Sequence, residues 1–193
     1  MSDKNINENF SGELIQEVDG GKIIMNFLNG KKDGITKFIS SSGVVLSEIN
    51  YKNDEINGDV KQYYPTGNVL SIMEYLNGKS QGSFTSFFEN SMKQVSSQYQ
   101  NGEMHGEFKA FDEFGDTLIE CTYFKGQKHG KNLLYYSKSQ GGGVYEVSFF
   151  ENGLLNGDKI TFYQTGEVMS VTPYSAGKAQ TYTKNYSKSG IEI

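Results

Sequence analysis

The stretch "YLNGKSQG", Tyr75–Gly82, returns twenty-four residues later as "YQNGEMHG", Tyr99–Gly106. Related phrases begin at Phe27, Tyr51, Tyr123, Phe150 and Tyr174; the interval is 24 residues throughout, except for 27 between Tyr123 and Phe150. Each phrase places a ring just ahead of a turn, and the first six place a glycine seven residues after the ring, at Gly34, Gly58, Gly82, Gly106, Gly130 and Gly157. A second column follows at Ile39, Tyr63, Phe87, Phe111, Tyr135, Phe162 and Tyr186, and a third at Gly43, Gly67, Ser91, Gly115, Gly142, Gly166 and Gly190. Three columns in register over seven copies establish an internal repeat. The three extra residues of the long interval fit in "SKSQGGG", Ser137–Gly143, a turn that lengthens at little cost.

Composition narrows what such a repeat can be. The 193 residues suit one domain or one continuous array. Hydrophobic residues make up 36%, thin for a two-layered core, yet there are thirteen Tyr and thirteen Phe. Disordered chains lack such aromatics, and collagen needs glycine at every third position with abundant proline. A net charge of −5 disfavours general nucleic-acid binding, which needs cations against phosphates. The start, "MSDKNINENF", lacks the apolar heart of a signal peptide, and no apolar run approaches membrane-spanning length. A cytoplasmic location is therefore expected, with export lacking a cleaved signal left open. The single Cys cannot form an internal disulfide.

Segments such as "GVVLSEINY" and "GNVLSIMEY" are β-rich and too short between turn signals for helices. Asn-Gly suits a two-residue turn with both central φ angles positive. With Asn77-Gly78 as that turn, Leu76 faces Lys79, Tyr75 faces Ser80 and Met73 faces Gly82. Gly82 then lies diagonal to the Tyr75 ring, which crosses bare backbone. The expected fold is all-β: an elongated, single-layer antiparallel meander of about seven hairpin repeats, the array filling residues 27–193. Residues 1–26 form an N-terminal segment with a partial capping copy around "DGGKIIMNF". Equivalent residues in neighbouring copies lie roughly 10 Å apart, so seven copies extend on the order of 70 Å.

Hairpins of this length, with Tyr-x-Asn-Gly and a later Gly, resemble MORN repeats, most closely the variant found in bacterial proteins of antitoxin or immunity type. The resemblance runs from Phe27 to about Gly190. It departs from the pattern at Asp54, which replaces the first Gly, and at Ala176 and Thr181 in the last copy. It implies a β-sheet binding scaffold whose partners range from cognate toxins to other proteins and phospholipid headgroups.

Reactive chemistry has few candidates. His105 and His129 occupy equivalent positions roughly 10 Å apart, too far to share a metal whose ligands bind at about 2 Å. Cys121 shares a face with Tyr123 and reads as a small buried apolar residue. "QGGGVY", from Gln140, lacks the Lys and helix of a phosphate loop and reads as a turn. No catalytic, cofactor or metal site is expected. Lys37, Lys61, Lys109 and Lys184 form a basic row interrupted by Thr85, Leu133 and Ile160, fit for acidic lipid or acidic protein. Glu48, Glu74, Glu120 and Glu146 are expected opposite the ring face, as partners for those lysines or for a basic protein.

The second face changes character along the chain. Gln94, Ser96 and Gln98 occupy it in one copy, but Tyr145, Val147 and Phe149 occupy it further on, with Val171 beyond. An apolar stretch there marks a contact surface for a partner or another copy, or packing against the C-terminal neighbour. The function expected is a non-enzymatic protein-binding scaffold; the resemblance sharpens it to an antitoxin-type protein that blocks a basic toxin. A peripheral membrane adaptor and an exported effector that binds host proteins are the alternatives.

Overall fold

A computed structural model describes residues 7–193. It is an antiparallel meander, and the helix among these residues is a three-residue 3-10 turn, Lys138–Gln140. The chain divides into two compact units, one ending at Ser91 and one comprising Met92–Ile193. The first contains β1 (Gly12–Val18), β2 (Gly21–Leu28), β3 (Lys31–Lys32), β4 (Gly34–Ser40), β5 (Val45–Lys52), β6 (Glu55–Tyr63), β7 (Val69–Leu76) and β8 (Lys79–Phe87). The second contains β9 (Lys93–Gln100), β10 (Glu103–Phe111), β11 (Thr117–Phe124), β12 (Gln127–Tyr135), β13 (Val144–Glu151), β14 (Leu154–Leu155), β15 (Gly157–Phe162), β16 (Val168–Ser175), β17 (Lys178–Ala179) and β18 (Lys184–Asn185).

The expected turns form. Asn77 and Gly78 have φ of 48° and 75°, and Leu76 pairs with Lys79 and Tyr75 with Ser80. The same geometry holds at Lys125-Gly126 and Ala176-Gly177, where no Asn is present. Loop closure across the strands therefore imposes the turn even on unfavourable residues, while Asn and Gly adopt it at least cost. The longer turn of the fifth phrase contains the 3-10 turn and Gly141–Gly143, where the extra residues were placed.

Beyond the turn the register departs from expectation. Met73 pairs with Phe84, not Gly82. Gln81, Gly82 and Ser83 together oppose Glu74, an enlarged bulge of three residues against one. The same bulge recurs where Asn57–Asp59 oppose Asn50, His105–Glu107 oppose Gln98, and His129–Lys131 oppose Thr122. The expected diagonal pairing of the Tyr75 ring with Gly82 is thus replaced. Tyr75 lies directly opposite Gly58, the glycine of the preceding phrase, as Tyr51 does opposite Gly34 and Tyr123 opposite Gly106. The ring and glycine belong to successive copies, so the contact joins repeats instead of closing one.

The bulge explains the glycine column. Gly58 has φ of 103°, and a Cβ there would stand 3.3 Å from Asn50 Cβ. Asn50 in turn donates from Nδ2 to the Asp59 carbonyl at 2.7 Å, occupying an acceptor that the bulge removes from the ladder. Asn26 repeats this bond to the Ile35 carbonyl, also at 2.7 Å.

Each bulge shifts register by two residues, an even number, so side chains keep their faces. In the first unit Phe27, Tyr51 and Tyr75 share one face with Met25, Ile49, Val60, Met73 and Phe84. In the second unit Tyr99, Tyr123, Phe150 and Tyr174 likewise share one face, called here the ring face. Among the described residues, the buried hydrophobic side chains are Met25, Phe27 and Cys121. The remaining rings are half-buried, as a single layer dictates. Each half-covered ring still stabilises by roughly 1–2 kcal/mol.

Gly58→Ala should lower unfolding free energy by about 1–3 kcal/mol through its left-handed φ and the crowding at Asn50. Gly130→Ala, with nothing near the added methyl, should lower it less. Denaturant unfolding of the two variants measures the difference.

Candidate functional site

With the rings committed to one face, the opposite, back face carries the candidate binding chemistry. Its side chains align in rows crossing the strands. The central row of the first unit runs Ile24, Lys37, Glu48, Lys61, Ile72, Thr85, each paired directly with the next. Lys37 Nζ lies 2.9 Å from Glu48 Oε1, and the Tyr63 hydroxyl donates to Glu48 Oε2 at 2.8 Å. The Lys37 ammonium and the Tyr63 hydroxyl hold the Glu48 carboxyl below its usual range. Burial, with the Glu48 charge beside it, pushes the Tyr63 phenol up to about 12.

The motif recurs in the second unit, where Lys109 Nζ lies 3.3 Å from Glu120 and Tyr135 donates to the same carboxylate at 3.1 Å. Lys61 is 3.8 Å from Asp59. Lys37, Lys61 and Lys109 therefore stand beside carboxylates instead of forming a bare cationic comb. Sequence columns displayed each residue type, but the Lys–Glu–Tyr grouping needs the register of three strands. Another recurrent bond escaped the sequence reading: Tyr64, Tyr136 and Tyr163 donate to the Phe87, Phe162 and Tyr186 carbonyls, each at 2.8 Å. Their common position, one after the second aromatic column, was the available signal.

Along the second unit the back-face row continues Lys109, Glu120, Leu133, Val147, Ile160, Val171, Lys184. The four aliphatic residues at its centre are half-exposed. Val147 and Val171 are thereby brought into one row through Ile160. Phe149, 39% exposed, stands in the adjoining row opposite Lys131. Tyr145 packs edge-on against Tyr136, with centroids 5.2 Å apart.

The ring face changes in the opposite sense. Where earlier copies place Val60 and Met73, the later strands pair Asn132 with Ser148. Lys128 Nζ donates to Asn132 Oδ1 at 3.1 Å, Asn132 Nδ2 to Ser148 Oγ at 3.1 Å, and Ser148 Oγ to Glu146 Oε1 at 3.0 Å. Lys159 Nζ completes the chain 2.9 Å from Glu146 Oε2. Glu146 is buried here, contrary to the expected grouping with Glu48, Glu74 and Glu120. It stands four residues before Phe150, an even count that puts it on the ring face. The ion pair and hydrogen bonds offset its desolvation. Polarity thus exchanges faces in the second unit.

The other candidates sit apart. The His105 and His129 rings flank Phe124, with centroids 5.1 and 6.0 Å from it. They pack tilted against an exposed ring, one on each side of it. Cys121 is buried, and burial pushes its thiol up, away from nucleophilic behaviour at neutral pH. Among the described residues no group of three His, Cys, Asp or Glu side chains could hold a metal ion, and no helix is long and apolar enough to cross a membrane.

The family model for the MORN repeat variant matches residues 32–53 and 56–77. No curated protein matches the chain. The two matched spans contain the Gly34–Tyr51 and Gly58–Tyr75 pairs respectively, and they support a MORN-repeat protein.

Two variants test these groups. Tyr63 is neutral and hydrogen-bonded in the folded chain, so its contribution to stability is complete below pH 10 and is lost as pH rises towards about 12. Tyr63→Phe should flatten that part of the stability–pH curve relative to wild type, and should also reduce the loss of stability on acidification through the carboxyl range, because Glu48 loses a donor. Separately, Lys159→Met leaves Glu146 buried without its cation. Allowing for the partial exposure of the lysine, it should cost about 1–3 kcal/mol in denaturant unfolding.

Proposed function

We propose that this MORN-type repeat chain is a non-enzymatic protein-binding scaffold, and in its narrower form an antitoxin- or immunity-type protein that covers the working surface of a basic partner. The observation that carries the reading is the back face of the second unit: a single-layer sheet leaves it bare, and it combines carboxylate-paired lysines with a half-exposed aliphatic row. Binding surfaces have such a composition, with an apolar centre and a polar margin. The net charge of −5 favours attraction to a basic partner and speeds encounter with it. Neutralised lysines weigh against the phospholipid alternative, since a headgroup would have to compete with Glu48 and Glu120. The side chains that acid–base or nucleophilic catalysis would use are dispersed or buried, which favours binding over turnover.

Affinity purification from the native host should retain a second, basic polypeptide in stoichiometric amount, and retention should weaken as salt rises. Growth in cells expressing that polypeptide should be restored by co-expression of this chain. Retention without growth rescue removes the narrower form; absence of any retained polypeptide removes the scaffold reading.

A further inference from the structure

The back-face row of the second unit has an order that specifies its own complement. It opens with Ser96, paired with Lys109, and from there runs Lys109, Glu120, Leu133, Val147, Ile160, Val171 and Lys184 across the ladder; Ser96 is left outside the charged and aliphatic stretch that follows. Glu192, bridged to Tyr186 two residues along, closes the row diagonally from the same side, its carboxylate 3.7 Å from Lys184 Nζ. In charge and polarity the order is cation, anion, four aliphatics, cation, anion. Reversed and laid against itself, it sets every cation against an anion and every aliphatic against an aliphatic. The corresponding row of the first unit lacks this property: it reads Ile24, Lys37, Glu48, Lys61, Ile72, Thr85, which reversed sets Lys37 against Ile72.

We propose that the back face of the second unit docks a second copy of this chain. Two sheets packed face to face are exchanged by a two-fold axis lying between them. An axis along the row would oppose each residue to itself and bring Glu120 against Glu120. An axis parallel to the strands, passing between Val147 and Ile160, reverses the row. It places Glu120 against Lys184 of the second copy, Lys109 against Glu192, Leu133 against Val171 and Val147 against Ile160. The eight positions cover roughly 34 Å at sheet spacing, a length in keeping with a standard interface. The aliphatic centre supplies burial, and the charged ends fix the orientation. This deepens the reading of the back face as a protein-binding surface and rests on it. The ion-paired row of the first unit is left to other partners.

The test uses the full chain and two charge reversals, Glu120→Lys and Lys184→Glu. Sedimentation equilibrium should find the wild type dimeric at micromolar concentration, and Val147→Asp should raise the dimer dissociation constant at least tenfold with the circular dichroism spectrum unchanged. Each reversal alone brings like charges together at both ends of the interface and should likewise give monomers. Mixed in equal amounts, the two variants restore opposite charges at both ends and should form a heterodimer. This restoration does not depend on whether either reversal perturbs its own chain. A wild-type monomer throughout the range overturns the proposal, as does a wild-type dimer that both reversals leave intact, or variants that stay monomeric when mixed. A monomeric wild type that still retains a host polypeptide removes the self-docking alone and leaves the scaffold reading standing.

Discussion

A three-against-one bulge governs this sheet. Opposite Asn50, Glu74, Gln98 and Thr122 the partner strand fits three residues into the space of one, and the middle one is a glycine with positive φ. A regular ladder would seat the ring and the second glycine of one phrase on the same hairpin. The bulge moves the strand on by two residues and takes that glycine out of the hairpin ladder, while the unbroken register with the preceding strand sets the ring opposite the glycine of the previous copy. Cohesion between neighbours therefore resides in the most regular feature of the sequence. The tyrosine hydroxyls that reach carbonyls in the next copy add to that cohesion from the outer turns.

Because the shift is even, a face once assigned stays assigned, and the two faces can vary independently. The later strands use that freedom. Their ring face contains a chain of hydrogen bonds from Lys128 to Lys159 through buried Ser148 and Glu146, where earlier strands place Val60 and Met73. Their back face holds Leu133, Val147, Ile160 and Val171 at positions that the first unit gives to Lys37, Glu48, Lys61 and Ile72. A polar network of this kind tolerates only the alignment that satisfies all its members. It therefore secures the register where apolar burial on that face is weakest.

The sequence made some of these features legible and hid others. Turn chirality is a local property of Asn-Gly, so the hairpins and their order could be read directly, and the extra residues near Gly141 could be placed. The bulge could not, because a glycine in a strand is compatible with a flat ladder as well as a kinked one. Only the competition for space around Asn50 and Gln98 decides between them. The face of Glu146 was open to parity counting from Phe150, and the expectation miscounted it. The lysine column was visible, but its pairing with Glu48 and Glu120 joins different copies and emerges only once the strands are aligned. Val147 and Val171 could be suspected of sharing a surface; that Leu133 and Ile160 complete the row required the register.

The even offset also bears on how such a chain can change in length. Adding or deleting one whole copy alters neither the inward set nor the outward set of the copies around it, and the new junction again pairs a ring residue with a neighbour's glycine. Duplication within the gene thus lengthens the array without redesign. Insertions that are not whole copies survive where a loop can absorb them, as the three extra residues at Ser137–Gly143 do.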